Sequence, residues 1–502
     1  MKMIRNIKIE SKHLVLLLGA IGFILYTIML WLRPMESWVD DAFYTDWALR
    51  ISQGGFLTHI WENGKPGYCP LYSIILAGWI KVFGFSYFSV HIFGVIIGLV
   101  IYYLLLLRLP FDTWVKDKWA VVCFTVCYWL SPGILWIVNC GRQDILCILW
   151  SVLAIDAFVR AYENSEKKQF ALFCLWAMML MWTGLEGVIF LGIFVFVYSC
   201  LDIKKSLQKW TMYVWYAVCT IISFVAEFFY LLYHHCGKTF LGSILGHSNT
   251  VTQVLNFIET GDWVSVGTTV NEDAGTMTLM EILNTGHYNG VLGNKEYLAM
   301  LVFAGVLLLI LYFYKKKVEL SKIEKAFLLV AICVPICFVI IGRYAYYYTW
   351  AAYIPAMIAV IAIVYDLVNK KLIYVLLAIG MCVWLGLASP NLFFMRFDPN
   401  RTIDKMHRHE IEVADIQPNE TVYIPYEWYY YLAEKNENLY AYWSFRYPIT
   451  MTKMVFSNDQ ELAEWEQRLE LEFVNQVGIY KIYNVLGDRD TGYLLPLSEF
   501  AE

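Results

Sequence analysis

The sequence predicts a polytopic α-helical membrane protein of about eleven spans, followed by a small C-terminal α/β domain, and three observations point that way. First, 59% of its 502 residues are hydrophobic and only 16% are charged, against about 45–50% and about 25% in soluble domains; the mean hydropathy is +0.52. Second, the apolar residues gather in runs near spanning length. Third, charge is divided unevenly: residues 390–502 carry 19 Asp and Glu against 10 Lys and Arg, a net −9, which leaves +4 on the rest. The expected division is therefore a transmembrane body over 1–389 and a soluble acidic domain over 390–502.

The runs fall at 14–32, 86–107, 119–138, 144–161, 170–183, 185–201, 211–233, 297–314, 325–342, 346–366 and 371–389. Lys2, Arg5, Lys8 and Lys12 precede the first run in the manner of a secretory leader. The run is long enough to span, however, and no small-residue cleavage site follows it, so it reads as a helix of the body. A further run, Pro70 to Phe83, is shorter and holds Lys81; it reads as an interfacial or re-entrant segment.

Basic connectors set the orientation. With the N-terminus inside and 70–83 left outside, Arg108 to Lys118, Arg160 to Lys168, Lys204 to Lys209, Lys315 to Lys325 and Lys370-Lys371 all become cytoplasmic, as the positive-inside bias requires. Counting 70–83 as a span would place every one of them on the wrong side. The outer loops are then 33–85 and 235–296, and the acidic domain is extracytoplasmic, on a plasma or inner membrane.

Within that domain, β-branched and aromatic runs at Thr421 to Ile424, Leu439 to Trp443 and Val477 to Tyr483 alternate with helical stretches at Glu427 to Lys435 and Asp459 to Glu470, the pattern of a small α/β fold. All twelve cysteines precede residue 390, mostly inside apolar runs, and read as small core residues. Of these, Cys69, Cys140 and Cys236 fall near the outer surface, and a disulfide among them is open. His234-His235 reads as an interfacial anchor. No P-loop, dinucleotide glycine motif or internal repeat is present, so soluble-nucleotide chemistry and nucleic-acid partners have no support.

Ionisable groups at membrane depth are costly and mark function, and most here fall on the outer side. Asp40 and Asp41 follow the first run; Arg142 and Asp144 occupy a tight outer turn; Glu186 and Glu227 lie near outer helix ends; Arg343 sits at another outer turn; Lys65 precedes Pro66 in the first loop. Outward-facing bases run against the positive-inside bias, and a bound phosphate would account for them, since Arg offers a fork and Lys a point charge. Plainer readings stand beside this one. Asp40 and Asp41 could cap a helix over Ala42 to Gln53, Arg142 and Asp144 could be a structural ion pair, and Arg343 could snorkel.

At these residues the chain resembles the GT-C superfamily of polyprenyl-phosphate-dependent glycosyltransferases, in the branch of protein O-mannosyltransferases and lipid A aminoarabinose transferases. The likeness rests on Asp40, Asp41 and Tyr44, then Gly54-Gly55, Lys65-Pro66, Pro70-Leu71-Tyr72, Arg142 with Asp144, Arg343-Tyr344 and Pro355. The sequence departs from the family pattern where Lys-Pro-Pro-Leu is expanded to Lys65 through Leu71, and where Asp41 stands for a common Glu.

The resemblance implies transfer of a sugar from a polyprenyl-phosphate donor to a lipid, glycan or protein hydroxyl at the outer face, inverting the anomeric centre. Asp40 takes the role of general base and Asp41 that of its orienting or acceptor-binding neighbour. Lys65, Arg142 and Arg343 would bind the donor phosphate, supported by Asp144, Tyr44 and Tyr344. Phosphate is a good leaving group, so no second carboxyl acid is required. No cofactor is demanded, although a divalent metal is compatible with the acids. Glu186 and Glu227 read as protonated, hydrogen-bonded helix carboxyls outside the core site. A flippase for lipid-linked sugars and a non-enzymatic membrane assembly protein are the competing classes; the first would bring inverted repeats and broken midplane helices.

Overall fold

The computed structural model describes residues 9–32, 39–54, 69–111, 114–131, 141–233, 319–341, 350–365, 370–388, 407–418, 420–436, 438–441 and 450–489, with isolated positions between these stretches. The membrane body begins with α1 (Ile9–Leu32), α2 (Val39–Gly54), α3 (Leu71–Phe83), α4 (Tyr87–Leu107) and α5 (Lys118–Leu130). It continues with α6 (Asp144–Asn164), α7 (Lys167–Met181), α8 (Leu185–Cys200), the short α9 (Ile203–Gln208) and α10 (Trp210–Tyr233), and ends with α11 (Lys322–Ile341), α12 (Trp350–Tyr365) and α13 (Lys370–Ala388). Ten of the eleven expected runs are helices, and the chain is a multi-pass membrane protein. The run 297–314 lies mostly outside the described residues.

Two boundaries differ from the sequence expectation for local reasons. The run 119–138 is helical only to Leu130, and Ser131 is extended at φ −61°, ψ 126°. Pro132 follows Ser131 in the sequence, and the residue before a proline is pushed out of the helical region. The helix expected from Ala42 begins three residues earlier at Val39, so Asp40 and Asp41 sit inside its first turn. There the helix dipole still favours acids, but neither residue is the cap.

The bundle closes around α12, every residue of which from Trp350 to Val364 is buried. Pro355 lies within it, a substitution for an N–H that membrane helices tolerate when neighbours satisfy the backbone. Tyr353 in its first turn donates to the Cys127 carbonyl at 2.7 Å. Small residues set close approaches: a Cβ on Gly94 of α4 would stand 2.5 Å from the Val138 carbonyl oxygen, so the two segments touch backbone to backbone.

The C-terminal domain holds a five-stranded sheet in the order β2-β1-β4-β6-β5, built from β1 (Val422–Tyr423), β2 (Leu439–Tyr440), β4 (Lys453–Phe456), β5 (Leu469–Val477) and β6 (Tyr480–Asp488). The separate pair β3 (Tyr447–Pro448) and β7 (Leu494–Leu495) is parallel. Strand β1 runs parallel to β2 and β4, and β4 and β5 run antiparallel to β6. The helices α14 (Arg408–Ala414), α15 (Tyr429–Leu432) and α16 (Asp459–Glu466) complete it. The stretch Val477 to Tyr483, which reads as one strand, is a hairpin corner: Val477 pairs with Tyr480 across a turn in which Gly478 holds φ +60°, a conformation glycine supplies without strain. The helix expected to reach Glu470 stops at Glu466 because Leu469 opens β5 and turns its buried side chain into the sheet core.

Candidate active site at one end of the bundle

Helix α6 marks the two ends of the body. It starts at Asp144 and finishes at Asn164, a rise of about 30 Å, the thickness of a bilayer core. At its far end the basic connectors converge. Arg108 and Arg160 both bind Asp156, at 2.8 and 2.7 Å. Glu163 receives Lys205 and Lys322, and Lys209 donates to carbonyls of the α6 end. Four connectors that the sequence assigns to one side therefore meet at one end.

The acids gather at the other end. Arg142 lies in the turn entering α6, buried to 4% exposure, and its Nε donates to Asp144 Oδ2 at 2.7 Å while its Nη1 pairs with Asp40. Asp144 is fully buried, and its Oδ1 meets no donor among the described residues. Asp40 keeps 31% of its side chain exposed. It is thus an accessible carboxylate held against a dry guanidinium.

Asp41, one residue on, has the opposite setting at 2% exposure. Its Oδ2 lies 3.1 Å from His91 Nε2 and its Oδ1 accepts from the Tyr430 hydroxyl at 2.7 Å. The other ring nitrogen of His91, Nδ1, stands 2.7 Å from the Tyr87 carbonyl, so both ring nitrogens are engaged. Gly141 backs onto the same carboxylate: at φ +29° it leaves no room for a side chain, whose Cβ would stand 2.1 Å from Asp41 Oδ1.

Tyr430 comes from α15 in the C-terminal domain. Its ring stacks on Phe85 at 5.8 Å and 11°, and its hydroxyl also meets Thr45 Oγ1 at 3.0 Å. The preceding residue, Tyr429, donates to Asp46 at 3.2 Å, and Asp46 is held by Arg50 at 3.0 Å. Two adjacent tyrosines thus grip two acids of α2. Burial pushes both phenols well above their ordinary range, with Asp46 and Asp41 respectively adding to the effect; both remain protonated donors.

Other expected residues fall into three groups. Tyr44 is buried, packing edge-on against Tyr72 and Trp47, while its carbonyl accepts from Ser73 at 3.2 Å; it fastens α2 to α3. Glu186 and Glu227 are buried and hydrogen-bonded, Glu227 accepting from the Cys69 amide at 2.6 Å and Glu186 from Gln143 at 3.4 Å. Cys69 is a free, buried thiol. Lys65, Arg343, Tyr344, Cys140, Cys236 and His234-His235 lie outside the described residues. Among the described residues, no three His, Cys, Asp or Glu side chains gather to hold a metal ion.

His91, Gly141 and Tyr430 are the site residues that sequence reasoning passed over. A lone histidine in the second turn of an apolar helix is an intramembrane ionisable group and could have been flagged as such. The run Trp428-Tyr429-Tyr430-Tyr431 carries a weaker signal, four aromatics in an acidic soluble domain.

No protein-family model matches the sequence, and no curated protein sequence matches it either. Among solved structures, ArnT from Cupriavidus metallidurans in the apo state superposes with a TM-score of 0.54 at 13% identity, covering 95% of this chain and 98% of that one. The same protein bound to undecaprenyl phosphate superposes with a TM-score of 0.55 at 12% identity, covering 96% and 99%. The chain therefore shares the fold of these structures over nearly its full length.

Proposed function

We propose that this GT-C fold works as a glycosyltransferase, moving a sugar from a polyprenyl-phosphate carrier to a hydroxyl of a lipid, glycan or protein acceptor. One observation carries the reading: the accessible carboxylate of Asp40 paired with the buried guanidinium of Arg142, at the end of the bundle opposite the basic connectors. The solved relative that binds undecaprenyl phosphate supports the same class of donor.

Asp40 is the base. It takes the proton of the acceptor hydroxyl as that oxygen bonds the anomeric carbon and the carbon–phosphate oxygen bond breaks, which inverts the centre. The leaving polyprenyl phosphate carries off the bonding pair, and its charge is met by Arg142, whose five N–H donors can serve carboxylates and a phosphate together. Lys65 and Arg343 are assigned to the same phosphate on the strength of the sequence pattern. Such preplaced charge contributes most in a site that excludes water. Asp41, with both oxygens occupied and almost no exposure, orients the first turn of α2 instead of taking protons.

Proteoliposomes holding the chain, a polyprenyl phosphate bearing a radiolabelled sugar and a hydroxyl acceptor test the reading directly. Label is expected to move covalently to the acceptor; a flippase or an assembly protein would yield no such product. The orientation, with the acid end and C-terminal domain extracytoplasmic, predicts that an impermeant thiol reagent on intact cells labels Glu434→Cys and spares Lys204→Cys. The reverse pattern would move the site to the cytoplasmic face.

A further inference from the structure

The C-terminal domain reaches into the acid end of the bundle through Tyr429 and Tyr430. Asp41 is held at three points by three separate parts of the chain: His91 from α4 on one oxygen, Tyr430 from the soluble domain on the other, and the side-chain-free Gly141 behind it. Asp40 is the preceding residue in the same helical turn, so what fixes Asp41 also fixes the backbone from which the Asp40 carboxylate reaches Arg142.

The hold is a built one. Tyr430 is sandwiched by Phe85 and the edges of Tyr87 and His91, at 5.8, 5.2 and 5.4 Å between ring centres, so its hydroxyl has little freedom to leave Asp41. His91 is itself stacked on Tyr87 at 3.9 Å and tied to that residue's carbonyl. A buried carboxylate is strongly disfavoured unless charge-assisted donors satisfy it, and these two supply them. Removing either leaves Asp41 under-satisfied in a dry site, with the local turn free to rearrange.

We infer that His91 and Tyr430 are positioning residues which clamp Asp41 and thereby aim Asp40, so that the C-terminal domain forms one wall of the active site. The inference rests on the glycosyltransferase reading for its kinetic consequence, while the clamp itself can be measured without turnover.

The full chain in proteoliposomes, carrying Tyr430→Phe, Asp41→Ala or both, separates the two. Because both substitutions break the Tyr430–Asp41 contact, while each also loses one of its own to Thr45 or His91, the double variant is expected to lose less melting temperature than the two single variants summed. In transfer assays Tyr430→Phe is expected to lower kcat roughly two- to twelvefold, the size of one hydrogen bond, with the donor KM unchanged. His91→Gln, which keeps a donor toward Asp41, should retain more turnover than His91→Leu. Tyr423→Phe is the control: it loosens the domain's own core by removing the hydroxyl paired with Glu461, and should lower the melting temperature without changing kcat. Additive melting shifts in the double variant would overturn the clamp. So would a Tyr430→Phe enzyme with the turnover of Tyr423→Phe. If the unaltered chain transfers no sugar, the glycosyltransferase reading falls, and the melting cycle still decides whether the clamp exists.

Discussion

The two ends of the bundle hold charge in opposite ways. At the basic end every ion pair keeps at least one partner in contact with solvent: Arg108 is 48% exposed over the buried Asp156, Lys205 29% and Glu163 36%. At the acid end Arg142, Asp144, Asp41 and His91 are all 4% exposed or less. Exposed pairs are worth about 0–1 kcal/mol, whereas breaking a buried pair costs about 3–5 kcal/mol because the remaining charge is stranded. Charge at the basic end is therefore suited to fixing orientation in the membrane, which needs only the sign and number of residues. Charge at the acid end is costly to maintain and needs a chemical reason.

If that contrast is right, the largest effect comes from the one acid that solvent reaches. Asp40→Asn keeps the size of the side chain, but an amide cannot accept the acceptor's proton, and a positioned base is typically worth about 10²–10⁴-fold. Transfer is expected to fall by that factor in the proteoliposome assay while donor binding persists. Near-normal turnover in Asp40→Asn together with a dead Asp41→Asn would exchange the roles of the pair.

Arg142→Ala sharpens the contrast next. It removes the group proposed to meet the donor phosphate and strands Asp144, so stability should drop by about 3–5 kcal/mol in addition to the loss of transfer. Adding Asp144→Asn relieves the stranded charge, and the double variant is expected to recover melting temperature without recovering transfer. Recovery of both would reduce Arg142 and Asp144 to a structural ion pair.

Much of this was legible in the sequence, and the manner of legibility differs between the two ends. The basic end is written in runs such as Lys204-Lys205 and Lys322, where composition alone suffices. The helices are written in apolar length, and local signals overrode the run where the pre-proline Ser131 ended one helix early, where α2 began at Val39 instead of Ala42, where Leu469 opened a strand in place of a helix end, and where Gly478 turned an expected strand into a hairpin corner. At the acid end, Asp40, Asp41, Arg142 and Asp144 stood out because charge beside apolar helices is rare. His91 and Tyr430 did not, because the bond between Tyr430 and Asp41 joins residues 389 positions apart, and no local pattern encodes which aromatic of Trp428 to Tyr431 reaches back. Gly141 was silent for a similar reason: glycine in a turn is common, and only the carboxylate behind it makes this one obligatory.

That glycine gives a smaller effect. Gly141→Ala would place a Cβ 2.1 Å from Asp41 Oδ1 at a backbone φ of +29°, and such overpacking costs about 1–3 kcal/mol. Thermal melting should fall accordingly and transfer with it, since the displaced carboxylate neighbours the base. An unperturbed Gly141→Ala enzyme would mean that the turn relaxes freely and that Asp41 is not tightly seated.

The smallest effect belongs at the basic end, and its smallness is the point. Glu163 receives Lys205 and Lys322 and also accepts from Tyr198 at 2.9 Å, so by partner number it resembles Arg142. It is 36% exposed, however, and water can replace the lost partners when its charge is removed. Glu163→Gln keeps the shape and can still accept from Tyr198, so the expected loss is about 1 kcal/mol or less, read as a small melting shift that shrinks further in high salt. Transfer should be unchanged, because the group lies about 30 Å along α6 from Asp40 and Arg142. Impaired transfer at unchanged melting temperature would show that the basic end takes part in the reaction, and the division of labour between the two ends would have to be abandoned.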